Sequence, residues 1–416
     1  MPLSAAHEDQ QWKLLSAAMN SEEGRRDPYP FLRELHKHGE LCRAPDGLTY
    51  VFGYDAVREL LRSPEFGKAG ETFFHITLTE EQTRELHAAG GEYAKVKWLM
   101  NLDGPEHMRL RRLVQSVFGR AQVDRMKPVI QAVMAEIIEK LTRLGRADVV
   151  PTLCDVLPAE IIGALTGLPS HRRMEVAELS ARIVLAADQS AGFDELLSAT
   201  VARKQHAEIV REVIAARRTH AEDDLVTDLV NKAQTDGSFT EMELIGLLQI
   251  IYVGGYQTTT HMIGNGLVAL LQNESQWAKF KSDPERYEAG VANEVLRFNT
   301  ALTNTPRIAL SDTTICGQPF KAGDGCVCLE AAANHDPRKY EHPEQFDISR
   351  EGPPILTFGE GPHTCLGSNL ARLEIGMVLR ALAEAFPNMS LVRPCPEMAP
   401  YFKYRHYTSI EVDLGV

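Results

Sequence analysis

One segment constrains this chain more than any other. Residues 240–271 read as a single helix. Thr240-Glu-Met-Glu243 is a capping box, in which a Thr side chain and a Glu side chain satisfy each other's backbone N–H groups. Periodic apolar positions then continue from Leu244 to Leu271. About 30 residues at 1.5 Å per residue make roughly 45 Å of helix. An element of that length crosses the whole molecule, so the fold must be built around it. Its middle, Gly254-Gly-Tyr-Gln-Thr-Thr-Thr260, is poor helix material. Each Gly costs about 1 kcal/mol against Ala, and Thr hydroxyls can bond the i−4 carbonyl and bend the axis. A weak centre inside a strong helix marks a place where function overrides local preference.

The surrounding sequence supplies helices for that core. Residues 40–53 read as a small hairpin around Pro45-Asp-Gly47, and helical periodicity follows at 54–62 and 106–118. From 122 to 272 nearly everything reads as helix, with segment ends at Gly145, Gly167, Gly192 and Gly237. After Arg297 the chain turns to Pro, Gly and Thr with short apolar runs. It then returns to a last helix over 368–386 and to strands at 389–393 and 408–412. No repeat or low-complexity linker divides it. The expectation is one domain over residues 1–416, mainly α with minor β, helix-rich over 54–298 and β/loop over 299–416.

Charge and cysteine narrow the function. With 44 Lys+Arg against 57 Asp+Glu the net charge is −13, which opposes duplex binding. Seven Cys in 416 residues are too sparse for a disulfide scaffold. The N-terminus has neither the basic nor the apolar region of a signal peptide, and no run reaches the 18 apolar residues of a membrane span. A cytoplasmic protein without a membrane anchor is expected, so the Asn273-Glu-Ser and Asn388-Met-Ser sequons carry no glycosylation meaning.

One of the seven Cys lies in a motif. Residues 358–367 read Phe-Gly-Glu-Gly-Pro-His-Thr-Cys-Leu-Gly. The glycines and proline force a tight turn just before a helix, where backbone N–H groups and the helix dipole favour a thiolate at Cys365. From the residues alone, Cys365 is equally well a small inert hydrophobe, and a Cys–His nucleophile with His363 is a third, weaker reading.

The ten residues resemble, position by position, the haem-binding loop of cytochromes P450, Phe-Gly-x-Gly-x-His-x-Cys-x-Gly, and the resemblance runs from Asp103 to the C-terminus in the order of soluble bacterial members. It implies the fold of that family, a triangular helical body around a long central helix. It also implies haem b, with Cys365 as the axial metal ligand, Phe358 packed near the sulfur and Gly367 closing the loop. Thiolate ligation pushes electron density to iron and favours O–O cleavage. Glu294-Val-Leu-Arg297 matches the family's structural Glu-x-x-Arg pair. The later Pro343-Glu-Gln-Phe346 has Gln345 where the family has Arg, so Arg350 is the candidate third member. The family's propionate-binding positions fall on His107, Arg111, Arg307 and His363. The helix centre aligns with the family's Ala-Gly-x-(Asp/Glu)-Thr. This places Gly254 and Gly255 where dioxygen approaches iron and Thr258 where an alcohol bonds the distal oxygen or a relay water.

Gln257 stands where the family has an acid. A carboxamide does not titrate. Either Gln257 still orders water while Thr258 and solvent supply protons, or proton delivery is altered and the oxidation is of a less usual type, such as coupling or desaturation. Cys326-Val-Cys328 lacks a second pair at zinc-like spacing and reads as core.

The resemblance thus implies a monooxygenase that inserts one oxygen atom from O2 into a medium-sized, partly polar natural product, by hydroxylation or epoxidation. Electrons would come from NAD(P)H through an external ferredoxin, 2Fe–2S or similar, and its reductase, docking near Arg109, Arg112 and Arg372. The enzyme would be a monomer. By family position the substrate would be lined by Phe73, Phe74, Trp98, residues 171–195, Ile250, Val253, Leu302, Thr303, Asn304 and Phe402. A peroxide-driven enzyme is opposed by Thr258, and a non-catalytic haem-thiolate sensor would need no oxygen-activation motif.

Overall fold

A computed structural model describes residues 5–68, 78–188, 191–237 and 239–416. The central helix is Glu241–Gln272, unbroken through its glycines. Its N-terminus is closed by the expected box: the Glu243 N–H donates to Thr240 Oγ1 (3.2 Å) and the Thr240 N–H to Glu243 Oε2 (2.8 Å). The helix is buried nearly all round, the pattern of an element enclosed on every side. Its two halves serve different cores. Leu244–Leu248 and Ile251–Val253 pack with helices Ser170–Leu185 and Phe193–Thr219. Met262, Ile263 and Leu267–Leu270 pack with Lys127–Leu144, Pro284–Phe298 and Ser368–Ala385. The cores meet at the weak centre, residues 254–261.

Glycine ends the flanking helices where left-handed backbone is needed, at Gly145 (φ 66°) and Gly167 (φ 71°). Gly192, read from sequence as a helix end, instead begins one: helix Ser170–Leu185 stops earlier, and the Gly192 N–H donates to Glu195 Oε2.

The minor β portion is a five-stranded sheet in the order Leu41–Arg43, Thr49–Val51, Gly325–Cys328, Thr305–Ala309, Phe66–Gly67. The predicted hairpin forms its edge, and Thr49–Val51 runs parallel to Gly325–Cys328. Cys326 and Cys328 face one core, with Val51 and Tyr54, while Val327 faces another. Burial raises both thiols, as expected of packing residues. The terminal strands are shorter than expected, Ser390–Leu391 and Glu411–Asp413. Among the described residues no single helix is long and apolar enough to cross a membrane.

Candidate active site

Cys365 is set by its turn. Gly359 (φ 65°) and Gly361 (φ 72°) take conformations other residues resist. A Cβ at Gly361 would come within 2.5 Å of the Leu61 carbonyl oxygen. The Cys365 N–H donates to the Phe358 carbonyl (2.9 Å), closing the loop. Gly367 then caps helix Ser368–Ala385. Burial pushes the thiol up, while the Gly367 N–H, Arg111 and Arg372 pull it down. Although deep in protein, Cys365 keeps an accessible surface. The Arg372 guanidinium stacks 4.5 Å from the Phe358 ring centre.

Gly254 is likewise accessible although its neighbours Ile251–Val253 are buried, and a Cβ there would meet no atom within 4 Å. At Gly255 a Cβ would lie 2.7 Å from Ile162 Cδ1, so this glycine serves helix packing. Thr258 Oγ1 donates to the Gly254 carbonyl (2.8 Å). Gln257 points elsewhere: its Nε2 lies 2.7 Å from His261 Nε2 and its Oε1 has no partner.

Basic side chains converge beside the loop. The rings of His107 and His363 lie 4.2 Å apart. His363 Nε2 is 3.1 Å from Asp103 Oδ1, and Asp103 Oδ2 accepts from the Lys68 N–H (2.7 Å). Arg111 donates to the Thr364 carbonyl, and Arg307 is buried. Burial, then neighbouring His107 and Lys68, hold His363 at about 4. Burial and Arg307 bring Lys68 down to about 7. Lys68 is a member that sequence reasoning missed, since a lone Lys after Phe66-Gly67 carries no signal.

Behind the loop, Glu294 and Arg297 pair twice, at 2.8 and 2.7 Å. Arg297 also donates to the carbonyls of Asn334, Pro343 and Gln345, so all five of its N–H groups are used. Arg350 Nε reaches Glu294 Oε1 at 3.2 Å and takes the third place, while Gln345 offers only its carbonyl. Asn334 bonds the Leu356 N–H and Thr357 Oγ1, which ties this hub to the segment entering the Cys365 loop.

The candidate substrate residues fare unequally. Phe73 and Phe74 lie outside the described residues. Ile250 and Val253 line the core at the weak centre. Trp98 donates from Nε1 to Gln249 Oε1 (3.2 Å), with Arg203 over its ring. Leu302 bridges to Tyr404, and Thr303 Oγ1 donates to the Phe402 carbonyl. Phe402 itself is a correction. It packs with Leu15, Tyr29, Tyr50 and Phe52 in the N-terminal core, and the terminal segment meets Leu302 only at Tyr404, two residues later.

A family model, "Cytochrome P450", matches residues 286–400, which include Glu294, Arg297 and Cys365. The chain is 31% identical to the cytochrome P450 monooxygenase PikC of Streptomyces venezuelae over 373 residues, covering 88% of this chain and 85% of PikC. The chain belongs to the cytochrome P450 family. It is 32% identical over 380 residues to a steroid C26-monooxygenase of Rhodococcus jostii, covering 88% of this chain and 77% of that one. The crystal structure of P450BioI with an acyl carrier protein carrying hexadec-9Z-enoic acid superposes with TM-score 0.86 at 25% identity, over 94% of this chain and all of that one.

Cytochromes P450 carry haem, and this donor set fits it. The Cys365 thiol keeps an accessible surface, the central helix is bare of side chain at Gly254, and five basic groups gather with two carboxyls, Asp103 and Glu330. Arg111 and Arg307 are standing cations here, and burial and mutual repulsion lower His107, His363 and Lys68; an anionic partner would relieve that repulsion, and haem propionates supply two carboxylates.

Proposed function

We propose that this cytochrome P450 monooxygenase uses haem b ligated by Cys365 to insert one oxygen atom from O2 into a medium-sized organic substrate in natural-product tailoring. In this reading the chain is one domain and a cytoplasmic monomer. Electrons come from NAD(P)H through a ferredoxin and its reductase. The reading is carried by the Cys365 loop, closed by its N–H on the Phe358 carbonyl, in a chain whose central helix is bare at Gly254 and bears a hydroxyl at Thr258.

Bound there, haem supplies the oxygen-activating iron, and its thiolate ligand favours O–O cleavage. The protein's own residues do the rest. His107, Arg111, Arg307, His363 and Lys68 hold the propionates, and the Gly367 N–H steadies the sulfur. Thr258 Oγ1, parked on the Gly254 carbonyl, is placed to turn its hydroxyl to an oxygen on the open side. Phe73, Trp98, Ile250, Val253, Leu302 and Thr303 are the proposed substrate contacts. The Bacillus subtilis polyketide biosynthesis cytochrome P450 PksS, 30% identical over 76% of this chain, supports a polyketide-like size and polarity.

For the electron donor, Arg109 and Arg112 are the exposed members of the expected patch. Arg109 pairs with Glu243, and Arg372 is engaged by Asn293 and Phe358. The test is the CO spectrum of the reduced protein. A thiolate-shifted Soret band is expected, and it must vanish in Cys365→Ser. A wild-type band without the shift overturns the assignment. Turnover with ferredoxin and NAD(P)H, against peroxide alone, separates this enzyme from a peroxide-driven one.

A further inference from the structure

Behind the central helix, on the side of Gln257 rather than of Thr258, lies a cavity of about 280 Å³. Its walls come from three places far apart in sequence: Asp155 after the Val150–Cys154 π-turn; Gln257 and His261 of the central helix; and His406 and Tyr407 of the C-terminal segment. Gln257 and His261 are 9% and 4% exposed, yet Gln257 Oε1 and His261 Nδ1 have no hydrogen-bond partner among the described residues. Buried polar atoms in a polar, roomy cavity are water sites. The His261 and His406 rings stack 4.1 Å apart within 7° of parallel. Gln257 lines this cavity, while the next residue, Thr258, turns its hydroxyl to the Gly254 carbonyl instead.

We propose that this cavity is the proton entrance of the enzyme, and that Asp155, relayed through cavity water that His261 and Gln257 hold in place, does the proton loading that Gln257 cannot. The inference rests on the monooxygenase reading. Inserting one oxygen atom while the other leaves as water consumes two electrons, from NAD(P)H, and two protons for each O2. Only the protons concern the cavity. Asp155 gives its proton to cavity water and regains one from bulk water, with no net change in the protein. His261 Nδ1 faces that water, and its Nε2 accepts from the Gln257 amide, which orients the last water toward Thr258. A π-turn is a costly way to shape a helix and recurs at functional sites. Here the Asp155 N–H bonds back to the Val150 carbonyl (3.0 Å), so the turn sets the position of this carboxyl.

Burial, reinforced by Asp148, lifts Asp155 to about 6, a useful value for a group that must load and release protons near neutrality. His261 is held neutral by burial and by His406. The other titratable or charged groups packed here are Cys154 and Asp148 from the π-turn side, Tyr256 from the central helix, and Arg405 and Tyr407 beside His406. Asp155 and His261 act through water and Gln257, so they are positioning residues.

The test compares haem-loaded wild type, Asp155→Asn, His261→Gln and Asp155→Asn with Gln257→Glu. Infrared difference spectra against pH, without turnover, should show a carboxyl band titrating near pH 6 in wild type and absent from Asp155→Asn. In turnover with ferredoxin and NAD(P)H, Asp155→Asn and His261→Gln should each cut product formation about tenfold, less than the roughly 100-fold of a general acid–base group in direct contact, because both act through water. The lost electrons should appear as peroxide, with a larger solvent deuterium isotope effect. Restoring an acid by Gln257→Glu should rescue coupling in the Asp155→Asn background. An unchanged carboxyl band, or wild-type coupling and pH profile in both single variants, overturns the inference. Loss of the shifted CO band in wild type overturns the monooxygenase reading instead. If Asp155→Asn does not fold, His261→Gln decides alone.

Discussion

Glu294→Gln tests the reading of the buried hub. The side chain keeps its shape and loses its charge. In the protein, Glu294 is 3% exposed and accepts from Arg297 Nε and Nη2, from Arg350 Nε and from the Asp347 N–H. The carboxamide leaves two guanidinium groups sharing no anion. It also presents an N–H2 donor where Oε2 accepted from Arg297 Nε. Breaking a buried ion pair from one side costs about 3–5 kcal/mol, a large share of the roughly 5–15 kcal/mol that holds a native protein. Glu34→Gln is the control. Glu34 and Lys37 pair at 2.6 Å, as close as the buried pair, but both are substantially exposed, so the loss should be under about 1 kcal/mol. Urea unfolding of both variants gives the two costs, and haem content should fall only in Glu294→Gln. If the two variants lose equally little, the hub does not hold the loop and the reasoning fails.

Two further outcomes follow from local geometry. Gly255→Ala should destabilise by about 1–3 kcal/mol, because its Cβ overlaps Ile162, and Ile162→Ala in the same chain should recover part of that cost; thermal melts of the single and double variants check it. His206 is fully buried without a hydrogen-bond partner among the described residues, and burial holds its pKa at about 3. The unfolded chain therefore binds a proton below pH 6.5 that the folded one refuses, so stability falls with acid between pH 6.5 and 3. His206→Leu should remove that slope, gaining about 2 kcal/mol on wild type between pH 7.5 and 5.0 in urea midpoints.

The sequence made some of this plain and hid the rest for physical reasons. The central helix was legible because its cap and its apolar period are local. The Cys365 loop was legible because a tight turn needs its glycines at fixed spacing. Arg350 as the partner of Glu294 was reachable, since Gln345 left a cation missing. Lys68 was not, because it reaches the site only through the strand pairing of Phe66–Gly67 with Thr305–Ala309. Asp155 and His406 were hidden likewise: nothing near either residue in the chain announces that both face Gln257. Phe402 was misplaced because the terminal segment meets Leu302 only at Tyr404, two residues further on. Gly192 was misread because glycine stops and starts helices with the same letter.

The five-stranded sheet sets a schedule for synthesis. Thr49 pairs in parallel with Cys326, about 275 residues later. At roughly 5–20 residues per second, the early hairpin waits about 15–55 s on the ribosome for the neighbour that covers its open edge. Through that interval Tyr50 and Phe52, buried in the finished protein, have no sheet to lie on. The nascent N-terminal region is therefore the part of this chain with most need of a chaperone.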